Sequence, residues 1–281
     1  MQLQSFSIIT PSYNMLPYLK ACHNSVKDQG VDAEHIVIDA FSSDGTREWL
    51  SSRADILSIS EEDRGMYDAI NKGVRLSHGD ILAYLNCDEQ YLVGTLKKVD
   101  DVFSMNPSLD ILFGNTLIIR PDGRLLAYRK GFTPRWQYLW GAYLYLQSSS
   151  MFVRRRVFES GLLFDVKWKT IGDVDFVVRA LRKNISVAHI KEYLSVFMVT
   201  GSNLGAGALV KSELKQFRNS APIWLRYSTW LLDTLIRLEK LLRGLYFEKM
   251  PLHYSIFSID ELSHRSSFVV SRSSPLYPRG H

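Results

Sequence analysis

Short apolar runs alternate with amphipathic stretches through the first eighty-five residues, at a spacing few architectures tolerate. Phe6 to Thr10 is a strand pattern cut off by Pro11, and Leu16 to Gln29 has helical spacing. His35 to Asp39 reads as a second strand, after which Ser42, Ser43 and Asp44 offer N-caps to a helix ending near Ser52. Ile56 to Ile59 is a third strand. A helix then precedes Ile81 to Leu85, a run with the marks of a sheet-core strand. Strand, helix, strand at this rhythm predicts right-handed βαβ units and a parallel sheet covered on both faces.

In such sheets ligands bind beyond the carboxyl ends of the strands. Those ends carry Pro11-Ser12-Tyr13-Asn14, Asp39, Glu61-Glu62-Asp63-Arg64 and Asn86-Cys87-Asp88-Glu89. All four loops are therefore expected in one crevice. Ionised carboxylates are rarely buried without a partner, and a divalent cation holding a phosphorylated substrate is the natural one for Asp88. Neither G-x-G-x-x-G nor G-x-x-x-x-G-K-[ST] occurs, so a bound nucleotide would need its phosphates neutralised by a metal and side chains.

Beyond Tyr91 the pattern continues with a helix, Val93 to Ser104, and a strand, Asp110 to Phe113. Two further strands, Thr116 to Arg120 and Leu125 to Arg129, flank a turn at Pro121-Asp122-Gly123. Trp136 to Leu146 is densely aromatic, a candidate acceptor groove or core. Ser148 to Val153 reads as a strand, and Arg154-Arg155-Arg156 as either a solvated basic turn or an anion site. Ile171 to Asp175 opens a helix reaching Lys183, with Arg179 one turn inside. Helices are expected at Leu209 to Phe217 and Ile223 to Phe247, and irregular chain over 250–281. The division that follows is residues 1–204 as an α/β domain and 205–281 as a helical extension with a polar tail.

With 46% hydrophobic and 22% charged residues, the 281-residue chain has the composition of a globular protein with a sizeable core. A net charge of +5 suits an anionic substrate or membrane surface, and no Lys/Arg block announces nucleic acid. Cys22 and Cys87 form no C-x-x-C pair. Neither a signal-peptide pattern nor a membrane-length apolar run appears, so a cytoplasmic protein is expected.

S-I-I-T-P-S-Y-N, H-I-V-I-D-A-F-S-S-D-G-T, S-E-E-D-R-G-M-Y-D-A-I-N-K-G, G-D-I-L-A-Y-L-N-C-D-E and Q-S-S-S-M-F-V-R-R occur in this order. Together they resemble the family 2 glycosyltransferases of GT-A fold, especially bacterial enzymes of surface polysaccharide synthesis. The resemblance covers roughly Phe6 to Ser202. It implies a Rossmann-like, mixed but mainly parallel sheet, a nucleotide-sugar donor with UDP favoured, Mn²⁺ or Mg²⁺, and inverting transfer to a hydroxyl of a saccharide or lipid-linked acceptor. It places Pro11, Tyr13, Asn14 and Asp39 around the nucleoside. Asp63 and Arg64 would border the nucleotide or sugar, with Asn71 and Lys72, counted among the donor-binding residues, in the helix behind them. Asn86-Cys87-Asp88 falls on the family's D-x-D motif, with Asp88 the metal ligand, Asn86 at the donor and Glu89 in support. Asp173 matches the catalytic base, Arg179 is a candidate for charge stabilisation, and Gln147 lies on the acceptor side. Three positions depart from the pattern: Asn86 for the first Asp, Glu89 where a second Asp is common, and Leu146 where many relatives have His; Gly172 precedes Asp173, where an acidic or small residue is usual.

Two other readings compete. A sugar-phosphate nucleotidyltransferase would want a Gly-rich basic loop after the first strand, which T-P-S-Y-N-M does not supply. A non-catalytic nucleotide-sugar-binding protein is favoured by Asn86 and disfavoured by Asp173. The apolar stripe and basic face of Ile223 to Phe247 suit a core-covering helix, a homodimer contact, or a helix lying on the inner face of the cell membrane.

Overall fold

The structure is a computed structural model and describes residues 4–201, 203 and 207–272. The N-terminal half runs β1 (Phe6–Ser12), α1 (Leu16–Lys27), β2 (Ala33–Asp39), α2 (Thr46–Ser51), β3 (Leu57–Ser60), α3 (Met66–Leu76), β4 (Ile81–Tyr84), β5 (Glu89–Tyr91) and α4 (Thr95–Met105). It continues through β6 (Ile111–Ile119), β7 (Leu125–Arg129), α5 (Trp136–Gly141), β8 (Met151–Arg154), α6 (Arg155–Glu159), α7 (Gly172–Arg182) and β9 (Val187–Met198). The C-terminal part comprises α8 (Ala208–Asn219), α9 (Ile223–Tyr227), α10 (Thr229–Leu242), β10 (Leu252–Phe257) and β11 (Arg265–Val270).

Among the described residues one nine-stranded sheet runs β3-β2-β1-β4-β8-β6-β9-β5, with β7 paired to β6. The β3-β2-β1-β4 half is parallel, as the alternation predicts, and β8 enters antiparallel to both β4 and β6. The sheet is thus mixed, with helices on both faces. β1 shows why both faces must be covered: Phe6 and Ile8 join Cys22, Val26, Leu96, Val99 and Phe103 in one core cluster. Ile9, one step out of phase, joins Tyr67, Ile70 and Val74 of α3 in the other. That second cluster is closely packed, since a Cβ on Gly73 would fall 2.4 Å from Ile9 Cγ2.

Four local readings are corrected. The strands read at Asp110–Phe113 and Thr116–Arg120 are one strand, β6, carried through Gly114 and Asn115 by a register shift against β9. Ser148–Ser150 is a 3₁₀ turn rather than strand, with Ser149 and Ser150 hydrogen-bonded to Ser195. The helix read at Ile223–Phe247 breaks at Ser228, between the end of α9 and the start of α10, and its last turn closes through Gly244 at φ +67°. Residues read as irregular form the β10–β11 hairpin, whose Tyr254 and Ile256 point inward at period two. Polar composition masked that alternation. The 204/205 division lies outside the described residues. No helix among the described residues is long and apolar enough to cross a membrane.

A buried histidine pair ties α1 to β2. His23 Nδ1 and His35 Nδ1 lie 2.9 Å apart, the rings stack, and His35 Nε2 meets Thr10 Oγ1 at 2.9 Å. Asp55, Arg53 and Lys27 surround the outer side of His23. Burial lowers the pKa of His35 to about 3 and also lowers that of His23. An unfolded chain takes up these protons near pH 6.5. Stability is therefore complete above that pH and falls as the pH drops toward the folded value. Urea melts at pH 7.5 and 5 should differ by up to about 1.4 kcal/mol per pH unit for His35 alone. His35→Gln should shrink that slope, and a stability independent of pH would refute a neutral pair.

Candidate active site

Parallel register brings the polar strand ends side by side. Ser12 is paired with Asp39, and Asp39 with Ser60. The Asp39 carboxylate accepts Ser42 N–H at 3.0 Å, Ser42 Oγ–H at 2.5 Å and Ser60 Oγ–H at 2.7 Å. It is fully buried, so it shapes the β2 loop from beneath instead of presenting itself to a ligand. Asn14, at φ +50°, donates its N–H to Ser42 Oγ and accepts Ser43 N–H, locking the β1 and β2 loops together. Asp44 bonds both Leu16 N–H and Thr46 N–H, bracing the starts of α1 and α2. What these loops leave open is Tyr13, 63% exposed beside Pro11, a free aromatic face at the mouth of the crevice.

The next loop is held by charge. Asp63 accepts Gly65 N–H, Arg64 pairs with Asp68 at 3.1 Å, and Lys72 pairs with Glu61 at 2.8 Å. The Arg64 guanidinium remains largely exposed. Asn71 departs from its expected place at the donor: it is buried, and its amide makes two hydrogen bonds to the Phe164 backbone. It joins α3 to the segment before α7. Arg179 is likewise engaged structurally, donating to Asp175 at 2.7 Å and to the Leu163 carbonyl at 2.8 Å. Arg154 to Arg156 lie at the opposite end of the sheet, Arg154 being paired with Ile81. They bond the Leu109 and Gly79 carbonyls and Asp110, a structural use that removes the anion-site reading.

Beyond β4 the carboxylates gather. Glu89 is fully buried and accepts Asn86 N–H at 2.8 Å, which folds the Asn86–Glu89 turn. Asp88 Oδ2 accepts Asn203 Nδ2–H at 2.6 Å, and its other oxygen accepts no hydrogen bond among the described residues. Burial and the neighbouring Asp88 charge raise the pKa of Glu89, and burial raises that of Asp88. Asn86 Oδ1 is buried with no hydrogen-bond partner. No group of three or more His, Cys, Asp or Glu side chains gathers into a metal cage among the described residues. This sparse, all-oxygen set fits a hard cation that keeps water and takes substrate phosphate oxygens.

Asp173 faces this group from the second half of the chain. Its Oδ1 accepts Val174 N–H at 2.9 Å and the Tyr67 hydroxyl at 3.3 Å, while Oδ2 accepts no hydrogen bond among the described residues. Burial raises its pKa to about 6, and raises that of Tyr67 far enough to keep the phenol protonated and donating. Glycine at position 172 has a steric reason. A Cβ there would fall 2.7 Å from the Tyr67 ring, so only glycine lets that ring lie against α7 and reach Asp173. Arg129 is buried enough to lower its own pKa, feels the Asp173 charge, and donates to Gln147 Oε1. Tyr67, Arg129 and Asn203 carry no role in the sequence reading. Tyr67 stands inside the quoted R-G-M-Y-D motif, whereas nothing local marks Arg129 or Asn203.

The profile of Glycosyl transferase family 2 matches residues 7–162, more than half of the chain, which belongs to this family. It is accordingly a glycosyltransferase (EC 2.4). A "PGL/p-HBAD biosynthesis glycosyltransferase" of Mycobacterium bovis is 24% identical over 248 residues, covering 83% of this chain and 90% of the relative. Glycosyltransferase AglE of Haloferax volcanii is 26% identical over 78% of this chain and 74% of its own length. S. aureus TarS in complex with UDP-GlcNAc superposes with a TM-score of 0.55 at 18% identity, over 84% of this chain and 66% of that one. A mannosyltransferase of Pyrobaculum calidifontis in complex with GDP-Man and Mn²⁺ gives 0.53 at 15%, over 87% and 80%. Identities this low carry the GT-A-like fold and nothing finer.

Proposed function

We propose that this glycosyltransferase moves a sugar from a nucleotide-sugar donor, with UDP favoured, to an acceptor hydroxyl with inversion, using Mn²⁺ or Mg²⁺, in surface polysaccharide synthesis. One arrangement carries the reading: Asp88 and Asp173, half-buried carboxylates from opposite halves of the chain, each keep one oxygen without a hydrogen bond among the described residues, and both lie near enough to Glu89 to raise its pKa. TarS with UDP-GlcNAc and the mannosyltransferase with GDP-Man and Mn²⁺ support the donor class and the cation.

Tyr13 stacks on the base, in a loop that Asp39 and Asn14 hold rigid. Asp88 and the Asn86 amide oxygen would hold the cation, and Glu89 fixes the turn that carries both. Bound there, it would supply charge stabilisation for the leaving diphosphate. On the opposite side, Asp173 Oδ2 accepts the proton of the acceptor hydroxyl. The acceptor oxygen forms its bond to the anomeric carbon as the bond to the diphosphate oxygen breaks. Tyr67 donates to Asp173 Oδ1 and keeps Oδ2 aimed at the acceptor.

Only the ionised form of Asp173 takes a proton, so the transfer rate should rise as the pH climbs through about 6. Asp173→Asn should cut transfer by about 10²–10⁴-fold while calorimetry still detects nucleotide-sugar binding. Loss of donor binding in a folded variant would instead place Asp173 in the donor pocket. Asp88→Ala should abolish the Mn²⁺-dependent part of donor binding. A cation titration curve identical to that of the unchanged chain would sink the metal assignment.

The C-terminal helices add a membrane reading. Leu225, Leu232 and Ile236 anchor α9 and α10 in the core, yet Trp224, Tyr227, Trp230 and Leu242 are 55–80% exposed. Arg226, Arg237, Lys240 and Arg243 accompany them. Exposed aromatic and leucine side chains with basic residues on the same helices suit the headgroup zone of an anionic bilayer. In flotation, the chain should rise with anionic vesicles, stay down with neutral ones, and lose binding when Trp224 and Tyr227 are both changed to Glu. Concentration-dependent dimers with no flotation would give this face to a second copy.

A further inference from the structure

An open cavity of about 1000 Å³ lies between the β7 end, the aromatic loop after α5, and α10. Arg129, Lys130, Arg218, Arg237 and Lys240 line it, against Asp233 as the one lining acid. None of the loop residues that follow β1 to β4 contributes to its wall, so it is separate from the donor crevice. One lining residue connects it to the site: Arg129 donates to Gln147 and is near enough to Asp173 for that carboxylate's charge to act on the guanidinium.

The bases are not equivalent. Lys130 carries its own acid in Glu248 at 2.7 Å, and Arg237 has Asp233 at 2.7 Å. Arg218 donates to the Ala142 carbonyl, and Lys240 Nζ sits over the rings of Tyr143 and Tyr145. Arg129 bonds only the neutral amide of Gln147, with no carboxylate at ion-pair distance among the described residues. A mostly buried guanidinium balanced only at longer range by Asp173 is stabilised further when a ligand brings an anion to it. Tyr143 and Tyr246 are the partly exposed tyrosines along the same wall.

We infer that this cavity is the acceptor site and that the acceptor is anionic, a diphosphate or carboxylate group being held by Arg129 and the α10 bases while its hydroxyl points to Asp173. The inference rests on the sugar-transfer reading above. Such an anion has two sources, the diphosphate of a lipid-linked acceptor or the carboxylate of an acidic sugar.

Calorimetric titration of the full chain, saturated with UDP and Mn²⁺, separates them. The probes are a short prenyl diphosphate in micelles, an oligosaccharide ending in a uronic acid, and its neutral counterpart. At least one anionic probe should bind about tenfold or more tightly than the neutral one, and weaken as salt rises. Preference for the prenyl diphosphate assigns a lipid-linked acceptor, and preference for the uronate an acidic sugar. Arg237→Glu with Lys240→Glu should remove most of the advantage, but the comparison on the unchanged chain stands without the variant. Anionic probes no tighter than the neutral one would overturn the inference while UDP binding leaves the sugar-transfer reading in place. Failure of UDP and Mn²⁺ to bind would sink that reading and the inference with it.

Discussion

A tyrosine ring lying on a glycine joins the two halves of this enzyme. Tyr67 belongs to α3, which packs on β1 and β2, and Gly172 opens α7, far along the chain. Their contact is extended by aromatic stacking: Tyr67 on Phe164 at 5.6 Å between centroids, and Phe164 on Phe176 at 4.5 Å. Asn71 adds its two bonds to the Phe164 backbone from the next turn of α3. Burying this much aromatic surface fixes an orientation as well as an energy. The phenol arrives at Asp173 as the last member of a packed column, so the candidate base is aimed by the core.

The same packing sets the electrostatic problem of the site. Asp88, Glu89 and Asp173 are drawn from water at one end of the sheet, and burial raises all three pKa values. Hydrogen bonds from Asn203, the Asn86 N–H and Tyr67 offset part of the penalty. The remainder calls for positive charge, which a cation would supply on the Asp88 side and which Arg129 supplies toward Asp173. Asn86 makes sense here, because a third carboxylate in the same turn would add repulsion where two are already coupled. The departure from D-x-D is a lighter charge load on a buried site.

Much of the N-terminal half was legible in the sequence because each βαβ unit is specified locally. Apolar period, caps and strand-end polar residues all act within thirty residues, and the register of β1, β2 and β3 follows from them. The class of chemistry was legible too, through motifs at those strand ends. What escaped depends on distant contacts. Asp39 ends β2 and Asn71 sits in α3, polar residues inside the quoted motifs, but only packing reveals that their hydrogen-bonding atoms face inward. Arg129 looked like the end of a hairpin strand, and its proximity to Asp173 is written in no spacing. The β10–β11 hairpin was hidden because serines and charged residues dominate the stretch around its inward Tyr254 and Ile256.

That hairpin changes how the C-terminal part is understood. Its Phe268 ring lies where a Cβ of Gly123 would be, and Tyr254 donates to the Gly123 carbonyl at 2.7 Å, so it clamps the turn joining β6 to β7. On the other side, Glu248 pairs with Lys130, and the Tyr246 carbonyl accepts Tyr128 Oη–H at 2.9 Å. The strand that carries Arg129 is therefore gripped along its length by residues that follow α10. Among the described residues β7 pairs in the sheet only with β6, so these contacts are what hold its outer side and keep the Arg129 guanidinium at Gln147. The N-terminal βαβ units build the strand-end loops from local signals, and the C-terminal segments brace the β7 side of the site. Loss of those segments would leave the carboxylates in place and release the arginine that faces them.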